Sequence, residues 1–229
     1  KEKIDDWKKY WKDSRVYHFI GKDNIPFHTI IWPSILLAGR DSEKRDTNYM
    51  LPYFVAGYEY LNWEGQKFST SKGVGIFSDE ALELFPADYW RFYLSYVLPE
   101  GKDSNCDWTD FANRINNELI ANYGNLFYRV TYFIKEYFDG RVPKGILDKD
   151  GEELFKEIRD SKERIERLVG DVRLRDALKE ALHACGAANK FFQDRKPWDA
   201  IKKDPYGAAN TLFTAANALR SLSTMLYPF

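Results

Sequence analysis

"RVYHFIGKDNIPFHTIIWPSILLA", residues 15 to 38, decides the fold class. Arg15 to Gly21 is dominated by aromatic and β-branched side chains and stops at a glycine, the pattern of a strand buried in a sheet. The run from Phe27 to Ala38 is apolar almost all round, which predicts a buried helix, bent or begun near Pro33. A further β-type run, Met50 to Tyr58, predicts a second strand. Strand, helix and strand in that order make a parallel α/β layer. Such layers bind ligands beyond the C-terminal ends of their strands, where Gly21-Lys22-Asp23 stands. A short carboxylate there can accept from ribose hydroxyls, and a glycine lets a nucleotide approach the backbone. Taken alone, Gly-Lys-Asp is more often just a turn.

Outward from this stretch the periodicity changes. Trp7, Tyr10 and Trp11 are at helical spacing and predict a short helix within residues 1 to 14. From Asp79 the period is helical, in segments separated by Pro86 and stopped at Pro99. A turn-rich patch, "PEGKDSNCDW" (99 to 108), follows, and after it Thr109 is the expected N-cap of a long helix. Phe111, Ile115, Leu119, Leu126, Val130, Phe133 and Tyr137 mark that helix. Leu154, Ile158, Ile165 and Leu168 mark a second. Leu174, Leu178, Ala181, Leu182, Cys185, Ala188 and Phe192 mark a third, and Ala209, Leu212, Phe213, Ala216, Leu219 and Leu222 a fourth. "FDGRVPKG" and "RKPWDAIKKDP" are the linkers. The expected architecture is an α/β half followed by a four- or five-helix bundle, predominantly α overall. The expected divisions are 1–62, 63–108 and 109–229.

Composition narrows the function classes. With 229 residues, 44% of them hydrophobic, the chain can build a substantial core. A net charge of −1 gives no global field for nucleic acid, although a local basic patch suffices for phosphate contacts. Cys106 and Cys185 are isolated, form no CxxC pair and fit a reducing compartment, so no metal site is expected. No run of about 18 apolar residues exists to span a bilayer, so no membrane partner is expected. The first residue is Lys1 and the last segment is "STMLYPF", which reads as the interior of a longer protein.

A second stretch, "LNWEGQKFSTSKGVGIF" (61 to 77), places two lysines, three hydroxyls and two glycines in one turn between apolar flanks. Such a loop can wrap an anion, although lysines and serines are also ordinary loop residues. Lys67-Phe68-Ser69-Thr70-Ser71 resembles the KMSKS loop of class I aminoacyl-tRNA synthetases. "HFIGKDNIPFH…WP", "EYLNWEGQKFSTSKGVGIF" and "PADYWRFYLSYVLPEGKDS…WTDF" resemble, in order, the methionyl-tRNA synthetase family. The likeness is greatest to its archaeal and eukaryotic cytosolic branch and runs from about Val16 to the end.

The resemblance implies an α/β half that is the second part of a Rossmann-like catalytic domain, a stem-contact region with the loop, and an anticodon-binding bundle. It implies a cytoplasmic ligase that uses ATP with Mg2+ to make methionyl-adenylate from L-methionine, then transfers the methionyl group to methionine tRNA. The loop would stabilise charge on departing pyrophosphate through preorganised cations and N–H donors. Here Thr70 replaces the second lysine of the pattern, which leaves Lys67 and Lys72 as cations and Ser69, Thr70 and Ser71 as hydrogen-bond donors. Gly21 and Asp23 would bind the adenosine part of ATP, with Lys67 and Thr70 at its phosphates. Phe27, His28 and Trp32 would form the methionine pocket, where aromatic edges suit a thioether. His28 and Trp32 are equally at home in a core without a ligand. Asn125 and Arg129, one helical turn apart, and Trp198 would read the anticodon by hydrogen bonds and stacking. Lys196, Lys202 and Lys203 would meet phosphates. The family's HIGH motif and its zinc-bearing insertion are not found in these residues and would lie upstream. The chain alone would then be inactive. Two other readings stay open: a non-catalytic tRNA-binding protein derived from a synthetase, and a different class I synthetase.

Overall fold

The computed structural model describes residues 7–40 and 48–229. These form two compact units: residues up to Asn62 together with Pro99–Ser104, and Trp63–Leu98 together with Asn105–Phe229.

In the first unit, helix α1 (Trp7–Lys12) precedes strand β1 (Val16–Gly21), a π-helical turn (Phe27–Ile31), helix α2 (Trp32–Arg40) and strand β2 (Pro52–Tyr58). The rest of the expected 1–14 helix lies partly outside the described residues. β1 and β2 pair in parallel, with Gly21 opposite Tyr58 and an irregularity between Val16 and Tyr17. This is the expected strand–helix–strand order. Two expectations of burial fail. β1 alternates between half-buried and exposed residues, with Phe19 56% exposed. Leu36 is the buried residue of α2, while Phe27, Ile30, Ile31, Ile35 and Leu37 are exposed. The helix does begin near Pro33 as expected, at Trp32 after the π-helical turn. Pro33 has no N–H to donate, and the wider π-helical turn directly before it accommodates that loss.

Strands β3 (Leu61–Trp63), β4 (Gln66–Lys67) and β5 (Ser104–Cys106) form a small sheet in the order β4-β3-β5. Helices α3 (Ser78–Leu84) and α4 (Ala87–Tyr96) follow β4. Trp90, Tyr93 and Phe111 pack ring on ring at 4.6–5.1 Å, and Trp90 donates its indole N–H to the Ala81 carbonyl at 2.6 Å. Burial pushes the Tyr93 phenol well above its usual pKa and the Cys106 thiol up to about 11, so both stay protonated.

The expected long helix exists as one continuous rod in three parts: α5 (Trp108–Arg114), a π-helical stretch (Ile115–Gly124) and α6 (Asn125–Tyr137). Its cap is Asp107 rather than Thr109. The Asp107 carboxylate accepts from the Asp110 N–H at 2.7 Å, two residues upstream of the expected start. The buried stripe of α6 is Leu126, Val130 and Ile134, whereas Phe133 is half-buried and Tyr137 exposed. Helices α7 (Lys149–Gly170), α8 (Leu174–Arg195), short α9 (Pro197–Ala200) and α10 (Pro205–Leu226) complete the unit. α9 forms inside a segment expected to be only a linker. In α10 the buried residues include Ala208, Leu212, Ala215, Ala218, Leu219 and Leu222, so that 208, 212 and 215 are buried in place of the expected 209, 213 and 216. Alanines on α8 and α10 let the helices approach closely. Fully buried Ser161 on α7 donates to Glu180 on α8 at 2.7 Å, and Arg164 donates to the same carboxylate. Burial alone would raise the Glu180 pKa, but the Arg164 and Ser161 bonds outweigh it and hold the carboxyl below its usual range.

Replacing Asp107 by Ala should lower the unfolding free energy of the helical unit by about 1 kcal/mol, the usual worth of an N-cap. Thr109→Ala should change it by less than about 0.5 kcal/mol, as an ordinary surface substitution does. Denaturant unfolding of the two variants measures both. Equal losses would contradict the cap assignment.

Candidate functional site

Three groups of side chains carry chemistry. The first is the loop after β4. Ser69 and Val74 exchange two backbone hydrogen bonds, each 2.9 Å, closing a tight turn. Inside it Thr70–Lys72 make one 3-10 turn, ended by Gly73 in the left-handed conformation (φ 64°). Gly75 is held at φ 129°, and a β-carbon there would sit 2.5 Å from the Phe68 ring. Its φ favours glycine at Gly73, and at Gly75 close approach to the Phe68 ring adds to the strain that any side chain would bring. The Ser69 and Ser71 hydroxyls lie 3.3 Å apart. Thr70, Ser71, Lys72 and Lys67 are exposed. Ser69, Thr70, Gly73, Gly75, Phe77 and Glu80 border a cavity of about 380 Å³. The Ser69 and Thr70 hydroxyls on this rim can donate to an anionic ligand, whereas the N–H groups of Ser69, Lys72, Gly73 and Val74 are used within the turn and that of Phe77 donates to the Glu80 carboxylate.

The second group stands at the end of β1. An added β-carbon at Gly21 would meet nothing within 4 Å, so the backbone there is open to close approach. Asp23 accepts from the Tyr60 hydroxyl. Lys22 pairs with Glu59, lies 3.7 Å from Asp103 and sits 4.6 Å above the Tyr60 ring. The bond to Asp23 raises the Tyr60 pKa, chiefly because an ionised phenol would lose it. Composition and spacing gave no sign of Tyr60 or Glu59, because only the pairing of β1 with β2 brings residues 37 apart together.

The three residues expected to form the methionine pocket stand close together along the chain, in the π-helical turn and at the start of α2. His28, in the π-helical turn, meets His18 of β1 with their Nδ1 atoms 2.9 Å apart. Trp32 instead faces Trp11 of α1 at 6.1 Å and lines a small hollow of about 200 Å³ with Trp7, Leu36 and Tyr49. Phe27 is exposed. His18 was not anticipated. It lies on the half-buried face of β1, and nothing in its spacing from His28 announces the contact.

The third group lies on α6, α8 and α9. The Arg129 guanidinium lies over the Trp198 ring at 4.8 Å and the Phe192 ring at 5.1 Å, and donates to Gln193 Oε1 at 3.1 Å. Phe133 lies 6.1 Å from Trp198 with the rings nearly parallel. Asn125, one turn before Arg129, is exposed. Lys196 ends α8 in the left-handed conformation (φ 41°), a rare state for a lysine. It is the residue that turns the chain so that Pro197 starts α9 and Trp198 comes to Arg129. Thus Arg129 and Trp198 are brought together, with Phe133, Phe192 and Gln193 as partners not foreseen. Lys196, Lys202 and Lys203 are exposed beside them. Among the described residues no group of three or more His, Cys, Asp or Glu could hold a metal, and no helix is long and apolar enough to cross a membrane.

A parallel α/β piece followed by a helical bundle, with these loop and helix features, is the architecture of the C-terminal part of a class I tRNA synthetase. The family model of class I tRNA synthetases (M) matches residues 1–131, and that of the anticodon binding domain of methionyl tRNA ligase matches residues 142–229. The chain belongs to the methionyl family of class I tRNA synthetases. It is 41% identical to methionine--tRNA ligase of Pyrococcus furiosus over 99% of its own length and 32% of that protein. Against the Korarchaeum cryptofilum ligase it is 40% identical over 97% of its length and 39% of the relative. It thus spans between a third and two-fifths of these curated relatives. Mycobacterium tuberculosis methionyl-tRNA synthetase in complex with methionyl-adenylate matches with a TM-score of 0.86 and 26% identity, over 99% of this chain and 44% of that one. Its apo form matches with a TM-score of 0.81.

Burial and the neighbouring His28 ring both lower the His18 pKa. A lowered histidine pKa means that the folded state favours the neutral ring. That contribution to stability is present above the unfolded value of about 6.5 and is lost as pH falls through the folded value. With three histidines in the chain, an NMR titration resolves each ring. His18 should titrate below the ordinary value, and His28→Phe should shift its midpoint upward in part. A midpoint for His18 at or above about 6.5 would contradict the pairing.

Proposed function

We propose that this chain is the C-terminal part of a methionine--tRNA ligase. In this reading residues 1–62 complete a nucleotide-binding catalytic domain, 63–108 carry the loop and a stem-contact region, and 109–229 bind the anticodon. The whole protein would join the methionine carboxylate to the α-phosphorus of ATP, releasing pyrophosphate. It would then pass the methionyl group to a ribose hydroxyl of the tRNA's terminal adenosine. No side-chain nucleophile is needed, and positioning and electrostatics would carry the rate. Translation enzymes work where tRNA is used, which makes the cytoplasm the compartment of this reading.

The loop supports a phosphate-facing role for Lys67, Ser69, Thr70, Ser71 and Lys72, because a glycine-pinned turn can hold hydroxyls and cations ready before charge develops. Magnesium would arrive with the triphosphate as part of the substrate, since the loop offers donors rather than carboxylates. Gly21 and Asp23 suit an adenosine ribose, with Tyr60 orienting the carboxylate. Phe27, His28 and Trp32 would serve a methionine side chain. The uncovered apolar side chains of β1 and α2 are consistent with further protein covering them in the whole enzyme.

The observation that carries the reading is Arg129 held over Trp198, with Asn125 a turn away and Trp198 inside the stretch 142–229 that the methionyl anticodon-domain model matches. Unpaired loop bases are recognised by such planes and edges. The test is a titration of the chain with methionine tRNA and an anticodon-altered tRNA at two salt concentrations. Trp198→Ala should weaken binding of methionine tRNA roughly tenfold or more, because one stacked base is worth about 1–3 kcal/mol. It should also erase the preference between the two. Lys202→Ala with Lys203→Ala should weaken both tRNAs alike and flatten the salt dependence, since phosphate contacts carry no sequence. Equal binding of both tRNAs by the folded wild type would overturn the reading.

A further inference from the structure

The aromatic surface of α6 extends beyond the residues so far given a role. Asn125, Tyr128, Arg129 and Tyr132 stand at i, i+3, i+4 and i+7, which puts them on one helical face. Tyr128 is 66% and Tyr132 47% exposed. Their rings lie 6.1 Å apart at 25°, close to parallel. Tyr132 meets Phe133 edge-on at 5.6 Å, and Phe133 in turn lies nearly parallel to Trp198. An unbroken aromatic path therefore runs along the helix from Tyr128 to the indole beneath Arg129.

Core packing accounts for the Phe133–Trp198 end of this path, where both rings meet buried Phe192, but not for Tyr128 and Tyr132. The buried stripe of α6 is Leu126, Val130 and Ile134, on a different face. Tyrosine is also a weaker helix former than the alanine, lysine or glutamate that an exposed position tolerates. A contiguous exposed apolar strip on a folded surface marks an interaction site. Its chemistry favours one kind of partner. Flat π faces in series stack on unpaired bases regardless of sequence, and exposed Lys135 with Arg129 supplies positive charge for the phosphates between those bases. A protein partner would have to supply the groove for this convex face, whereas a single-stranded loop needs only ring faces and neighbouring cations.

We propose that Tyr128 and Tyr132 form a stacking platform for unpaired RNA bases, adjoining the bases that Arg129 and Trp198 would read. The identity of the RNA rests on the anticodon reading above; the stacking itself rests on the aromatic path alone. Together the four residues would hold a longer run of a single-stranded loop than the anticodon-reading residues alone, and the tyrosines would add affinity without adding sequence preference.

Two RNA hairpins test it: the anticodon stem-loop of methionine tRNA and the same hairpin with an altered anticodon. The wild-type chain is compared with Tyr128→Ala/Tyr132→Ala and with Tyr128→Phe/Tyr132→Phe. Both positions are exposed on a helix, and circular dichroism confirms that the variants keep their helices. The alanine pair should weaken both hairpins by the same factor, about fivefold or more. The phenylalanine pair should stay within about twofold of wild type, because stacking needs the ring and not the hydroxyl. Alanine variants that bind both hairpins as tightly as wild type overturn the proposal, and so does a phenylalanine pair as weak as the alanine pair. Wild-type binding that ignores the anticodon sinks the anticodon reading while the alanine–phenylalanine comparison still decides the platform. Binding of neither hairpin by the wild type overturns both.

Discussion

The Asn189 side chain sets the geometry on which the α6–α8–α9 site depends. Its amide donates to the backbone carbonyl of Asn122 at 2.8 Å and to the side-chain oxygen of the same residue at 2.9 Å, while Asn122 donates to the Leu182 carbonyl at 3.1 Å. Asn122 lies near the end of the π-helical stretch, whose wider turns leave a carbonyl accessible to a side-chain donor. The pair of asparagines thereby fixes the register of α8 against the rod that becomes α6. One turn further along α8 the consequence is Gln193 facing Arg129. Directly after Arg195, the left-handed Lys196 and Pro197 deliver Trp198 to the same guanidinium. A slip of one residue at the asparagines would rotate each of these groups away from the others.

The two units differ in how they meet the hydrophobic requirement. The helical unit buries Leu178, Cys185, Phe192, Leu212 and Leu222 almost completely, with alanines allowing close helix approach. Among the described residues the α/β unit holds one parallel strand pair, and much of its apolar side-chain surface is exposed. A two-stranded sheet has too little surface to stabilise itself by burial. The helical unit is accordingly the part of the chain with a complete core, and the residues proposed to meet RNA lie there.

Much of this was legible in the sequence, and the remainder fails for identifiable reasons. Strand and helix types follow from side-chain period, so β1, β2 and the long helices are found where the pattern predicts. Burial does not follow from apolarity alone: the run from Phe27 to Ala38 reads as a buried helix yet is largely exposed, because burial depends on what lies against it. The position of the cap was misread because Asp107 and Thr109 are both good N-caps, and only the closing bond to Asp110 distinguishes them. The stripe on α6 was misread at its end because a π-helical stretch changes the number of residues per turn. Arg129 and Trp198, 69 positions apart, were paired through family resemblance, whereas Gln193, Phe192, Tyr60 and His18 became visible only through tertiary contact. Each of these depends on a long-range pairing that no local period encodes.

The dependence of the site on the asparagine pair is open to one direct measurement, binding of methionine tRNA and of an anticodon-altered tRNA by Asn189→Ala alongside its unfolding free energy. Loss of this half-buried donor should lower stability by about 0.5–1.5 kcal/mol while the chain remains folded. The predicted result is that the folded variant also loses most of its preference for the methionine anticodon, although Arg129 and Trp198 are both intact. A variant destabilised to that extent yet as selective as wild type would contradict the claim that the α6–α8 register sets the site.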